Sequence, residues 1–174
     1  MIAIWQGDIT TLKIETIVNP GNSALLGCFI PNHSCLDNQI HTFAGIRLRL
    51  VCNKIMQGKE EKVGQARITD AYNLSCNYVI HTVGPMITGN VTKEEEELLA
   101  NCYKSCLDLA KEKNIKTIAF PTISTGVFSF PKELASKIAV STVKEYIKEN
   151  PNTFDKIVFD VYEEEDKAYY DRLF

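Results

Sequence analysis

Short, nearly continuous apolar runs alternate along this chain with longer stretches whose apolar residues recur every three or four positions. That alternation admits few folds. The runs at Ile2-Ala3-Ile4-Trp5, Ile14 to Asn19, Tyr78 to Val83, Thr117 to Phe120 and Lys156 to Val161 read as strands covered on both faces. Ile40, Ala44, Leu48, Val51 and Ile55 predict a helix over about 38–57, and Leu99, Cys102, Cys106 and Leu109 another over 93–113. Ala135, Ala139, Val143 and Ile147 mark a third, opened by Pro131 as its first helical residue, and a short fourth is expected from Asp166 to Leu173. Strands separated by helices of this length predict a three-layer α/β/α sandwich with a mixed, largely parallel central sheet. No internal repeat or Gly/Ser linker interrupts the pattern, so residues 1–174 are expected to form one domain.

At 174 residues the chain can bury roughly 70% of the surface its unfolded form exposes, so no metal or disulfide is needed merely to build a core. Nineteen Lys and Arg against 22 Asp and Glu leave a net charge of −3, without the basic excess that grips nucleic-acid backbones. No apolar run reaches membrane-spanning length, and Met1 to Asp8 lacks the basic start and long apolar stretch of a signal peptide. The expectation is a cytoplasmic protein with no nucleic-acid or membrane partner. Its six cysteines are accordingly expected to be reduced, with Cys102 and Cys106 packed in the core. The acidic runs Glu94–Glu97 and Glu163–Asp166 stand at expected helix starts, where the macrodipole favours them.

Ligands of α/β sheets sit at the carboxyl ends of strands, which directs attention to three loops. The first begins Gln6-Gly7-Asp8-Ile9-Thr10, and the second begins Asn19-Pro20-Gly21-Asn22-Ser23. The third, Pro121 to Phe130, holds Ser124, Thr125 and Gly126 just before a helix, which suits an anion cradle of backbone N–H groups or a plain strand-to-helix turn. The densest chemistry lies in Gly27-Cys28-Phe29-Ile30-Pro31-Asn32-His33-Ser34-Cys35-Leu36-Asp37-Asn38. Cys28, His33 and Cys35 offer two thiolates and an imidazole within eight residues, enough to wrap one tetrahedral zinc. Three protein ligands plus water or substrate is the catalytic arrangement, whereas a structural site would be completed by Asp37, His41 or Cys52. From position alone Asp37 reads as a helix cap, His41 as packing or a partner of a metal ligand, and His81 as a buried structural histidine.

Taken together, Gly7-Asp8-Ile9-Thr10, Val18-Asn19-Pro20-Gly21-Asn22-Ser23, Ile40-His41-Thr42-Phe43-Ala44-Gly45, Ile80-His81-Thr82-Val83-Gly84-Pro85 and Ile123-Ser124-Thr125-Gly126-Val127-Phe128 resemble the macrodomain family over essentially the whole chain. The Cys/His/Cys segment is similar to that of a zinc-containing microbial subgroup that removes mono-ADP-ribose from proteins. The resemblance implies that Asp8 and the backbone of Ile9 contact adenine, and that Ser124, Thr125, Gly126, Val127 and Phe128 wrap the diphosphate and distal ribose. It implies that Asn22 holds that ribose, that Asp37 orients the nucleophile, and that Cys28, His33 and Cys35 bind one Zn²⁺ per chain. Pro20-Gly21 stands where the family often has Ala-Ala, and Met1 lies almost at the first strand where such relatives commonly carry an N-terminal extension. Such relatives are linked to an ADP-ribosylating sirtuin and to lipoylated carrier proteins. The expected activity is therefore zinc-dependent release of mono-ADP-ribose from a modified protein. A non-catalytic ADP-ribose reader and a hydrolase of small free ADP-ribose derivatives are the alternatives.

Overall fold

A computed structural model describes all of residues 1–174. Six strands form one sheet: β1 (Ile2–Gln6), β2 (Thr16–Gly21), β3 (Ala66–Asp70), β4 (Tyr78–Val83), β5 (Thr117–Phe120) and β6 (Lys156–Val161). Their order is β1-β6-β5-β2-β4-β3, and every neighbouring pair is parallel except β3 with β4. The helices are α1 (Leu36–Ala44), α2 (Ile46–Met56), α3 (Lys93–Glu112), α4 (Lys132–Glu149) and α5 (Glu164–Asp171), with a 3₁₀ turn at Ile9–Thr11. This is the expected α/β/α sandwich with a mixed, mostly parallel sheet.

Alternation along the strands divides the core. Val18, Ile80, Ile118, Phe120, Ile157 and Phe159 face the larger cluster, completed by Leu99, Cys102 and Cys106 of α3 and Ala139 and Val143 of α4. Ile17, Val79, Ala119 and Val158 face the smaller one, with Ile40, Ala44, Leu48 and Cys52 of α1 and α2. Cys102 and Cys106 are thus core residues, and all six cysteines are free thiols.

Three local readings are corrected. The stripe over 38–57 is two helices, because Gly45 adopts φ 87°, ψ 176°, a backbone region open essentially to glycine alone. Strand β3 has no counterpart among the expected runs; in this edge strand Ala66 and Ile68 are only partly covered, Thr69 on the other face is buried, and Arg67 and Asp70 are exposed. Pro131 caps α4 instead of entering its first turn. The acidic residues do begin α3 and α5, and Thr92 with Glu95 forms a reciprocal capping box.

One irregularity of the sheet makes the site. β2 pairs with β4 through Gly21↔Val83 but with β5 only through Ile17↔Ala119. Beyond that point β2 and β5 part, which is where Pro20, lacking an N–H, can be carried inside a strand. The loops after β1, β2, β5 and β6 converge on the opening, at the reversal of strand order where α/β sheets place ligands.

Candidate functional site

The opening is a cleft of about 660 Å³, within the ~300–1,000 Å³ typical of small-molecule sites. Asp8, Ile9, Asn22, Cys28, His33, Cys35, Asp37 and the segment Ser124 to Phe128 all line it. Residues distant in sequence are thus brought to one set of walls by the carboxyl ends of the strands. The cleft also takes in Asp160 and Tyr162, which the sequence reading passed over, and Glu163 and Asp166, which it read only as part of an acidic helix start. A signal was available, since Asp160 stands at the end of the last strand and the other three follow it, just as the selected loops follow theirs.

At one end Asp8 caps the 3₁₀ turn, its Oδ1 accepting from the Thr10 N–H (2.9 Å) and hydroxyl (2.6 Å). Along the wall, Ser124 sits at φ 65°, and Ser129 and Phe130 N–H groups donate back to Gly126 and Ser124 carbonyls, both at 2.9 Å. The backbone N–H groups of residues 124–128 donate to no other backbone group, leaving a row of them available to an anion. Gly84 permits this approach: a Cβ there would meet Ser124 Oγ at 2.0 Å.

At the other end the loop between β2 and α1 is stitched by polar contacts. Asn22 Nδ2 donates to Gly27 O (3.1 Å), Asn38 Nδ2 to His33 O (2.7 Å), and Arg49 Nε to Leu26 O (2.8 Å), with Arg49 also over the Phe29 ring. The donor atoms of Cys28, His33 and Cys35 all lie within 4.8 Å of one another, and Cys28 Sγ is 3.3 Å from His33 Nδ1. Two ligands of one tetrahedral zinc stand roughly 3.5–4 Å apart, given Zn–S of about 2.3 Å and Zn–N of about 2.0 Å, so the donors present fit such an ion in number, type and spacing. Burial raises the Cys35 thiol above its ordinary value, against the Asn38 N–H, and neighbouring Cys28 adds to the rise. A bound cation would relieve that pressure.

Asp37 is not a cap. Cys35 holds the cap position, and Asp37 lies in the first turn of α1, only 6% exposed, with its Oδ1 accepting from Asn19 Nδ2 at 2.8 Å. Burial raises its carboxyl, opposed by that hydrogen bond and by the Arg49 charge. Asn19 pairs in register with His81, whose Nδ1 is 3.1 Å from the same Nδ2, while His81 Nε2 is 3.0 Å from Thr69 Oγ1. Burial lowers His81 to about 3 and His41 to about 4, so both are neutral. His41 Nε2 lies 3.6 Å from Asp37 Oδ1. His41, Cys52 and His81 bring donor atoms within 4.8 Å of one another behind the cleft. Both His81 nitrogens already have partners, which suits a buried polar brace. His41 and Cys52 therefore group with His81 and not with the Cys28, His33 and Cys35 donors.

Comparison with known proteins follows the same lines. The Macro domain family matches residues 18–139. A protein-ADP-ribose hydrolase of Treponema medium is 55% identical over 98% of this chain, and one of Staphylococcus aureus (strain COL) is 52% identical over 99%. This chain spans 66% of the length of each. Among solved structures, a mutant of the Oceanobacillus iheyensis macrodomain with ADPR superposes with a TM-score of 0.86 at 36% identity, covering 98% of this chain and 89% of that one. With a strand order, a cleft and relatives that agree, the chain belongs to the macrodomain family.

Proposed function

We propose that this protein is a zinc-dependent hydrolase that removes mono-ADP-ribose from modified protein side chains. The observation that carries the reading is the convergence on one cleft of an anion-binding loop, two polar side chains and a Cys/His/Cys donor set. The hydrolase names of its relatives and the ADPR of a similar macrodomain support it.

In this reading Asp8 and the Ile9 backbone receive the adenine, and the free N–H groups of Ser124 to Phe128 take the diphosphate. Asn22, fixed by its bond to Gly27 O, holds the distal ribose. Water attacks C1″, the bond from C1″ to the protein side chain breaks, and the departing group gains a proton. Positive charge grows on the sugar in that step, so a carboxylate set nearby in advance stabilises it. Asp37, pinned by Asn19, fills this role and orients the water. Held by Cys28, His33 and Cys35, a zinc ion would supply a Lewis acid's fixed positive charge at the mouth of the site. An ADP-ribosylating sirtuin and a lipoylated carrier protein are the partners that the subgroup resemblance implies.

The test compares ADP-ribose release from a mono-ADP-ribosylated protein before and after chelation, with ADP-ribose affinity followed in parallel. Release should stop while affinity persists, and Cys35→Ala or His33→Ala should repeat the pattern. Binding without release in both states would make the protein a reader. Faster turnover of a small free ADP-ribose derivative than of the conjugate would make that derivative the substrate.

A further inference from the structure

Asp160 stands at the carboxyl end of β6, on the same side of the strand as Val158 of the smaller core cluster. It lines the cleft, is only 6% exposed, and its Oδ1 is buried without a hydrogen-bond partner. A buried acceptor left unmatched is costly, so such a group at a cleft wall points to a partner the ligand brings. The nearby cation is committed elsewhere: Lys132 Nζ contacts Glu163 (2.5 Å), Glu165 (3.1 Å) and Asp166 (3.1 Å).

The parallel pairing of β1 with β6, Trp5↔Asp160 and Gln6↔Val161, and the bond from Gly7 N–H to Val161 O at 3.1 Å bring the loop carrying Asp8 alongside. Asp8 has one carboxyl oxygen occupied by Thr10, and the other remains for a ligand. Burial first, then the Asp8 charge, pushes the Asp160 carboxyl up to about 8. An N–H brought by a ligand would favour the ionised, acceptor form of Asp160 and offset that pressure.

Resting on the ADP-ribose reading above, we propose that Asp160 is a second base-reading carboxyl: an exocyclic 6-amino group donates one N–H to Asp8 and the other to Asp160, selecting 6-amino- over 6-oxopurine ligands. A 6-oxo group in the same place would set an acceptor against both carboxyls, leaving buried groups unpaired.

The experiment is direct binding of ADP-ribose, its inosine counterpart and its N6-methyl counterpart to wild-type protein and to Asp160→Asn and Asp160→Ala. Wild type should prefer ADP-ribose, and Asp160→Asn, whose amide can donate to a 6-oxo group, should narrow the preference by about tenfold. The N6-methyl ligand, with one N–H left, should bind wild type about tenfold more weakly, a readout independent of whether any variant folds. An unchanged preference in Asp160→Asn and Asp160→Ala, or undiminished binding of the N6-methyl ligand to wild type, overturns the assignment while leaving the hydrolase reading intact. Absence of ADP-ribose binding by wild type overturns both.

Discussion

One amide group organises the buried polar wall behind the cleft. Asn19 Nδ2 contacts both Asp37 Oδ1 and His81 Nδ1, and its two hydrogens suffice for both. Turning the amide over would aim an oxygen at a carboxylate, so the orientation follows from the network. His81 Nδ1 is then an acceptor, its proton rests on Nε2, and that N–H donates to Thr69 Oγ1. Asn19→Ala leaves Asp37 and His81 without their donor. The urea midpoint should fall by the equivalent of about 1–3 kcal/mol, the cost of an unmatched buried group. Turnover should fall more than ADP-ribose affinity, since Asp37 loses its anchor and the diphosphate loop does not.

At the scale of elements, two glycines decide how the walls approach. Gly45 separates α1 from α2 at a positive φ, and a Cβ there would lie 2.9 Å from Asn73 Nδ2. Gly45→Ala should cost about 1–3 kcal/mol and lower the melting midpoint by several degrees. A fold in which 38–57 ran on as one helix would be stabilised by the same change. Gly84 lies where the end of β4 meets the loop after β5, and an added methyl group would crowd Ile123 Cγ2 (2.8 Å) and Ser124 Oγ (2.0 Å). Gly84→Ala should weaken ADP-ribose binding severalfold or more by moving the row of N–H groups, and calorimetric titration would register it. Undisturbed affinity would place the diphosphate elsewhere.

For the whole molecule, buried groups of opposite sense shape stability against pH. His81 and His41, held near 3 and 4 when folded and near 6.5 when unfolded, make the unfolded chain bind more protons in that window. Stability should therefore rise from pH 4 to about 6.5. Asp160, near 8 when folded and about 3.9 when unfolded, makes the folded chain the stronger proton binder, so its contribution is lost as pH rises toward 8. Urea midpoints should peak near pH 6.5, and Asp160→Asn should flatten the alkaline side. The same substitution should steepen the acidic limb, where Asp160 opposes the histidines between about pH 4 and 6.5; an unaltered alkaline limb would contradict the part assigned to Asp160. Much of this architecture was legible in the chain. Strand and helix periodicity, the N-terminal acidic caps and the proximity of Cys28, His33 and Cys35 depend on local spacing, which the sequence states directly. Edge strand β3 was not legible, because a half-covered strand carries a weak pattern, nor was the break at Gly45, because one glycine inside a regular stripe does not announce its φ. Asp37 looked like a cap because burial under Asn19 is a contact across 18 residues. The sequence by itself determined the layers of the fold and the chemical types available at its strand ends. Only the tertiary structure decided which of them meet, because the parting of β2 from β5 and the pairing of β1 with β6 are long-range events that no local spacing encodes.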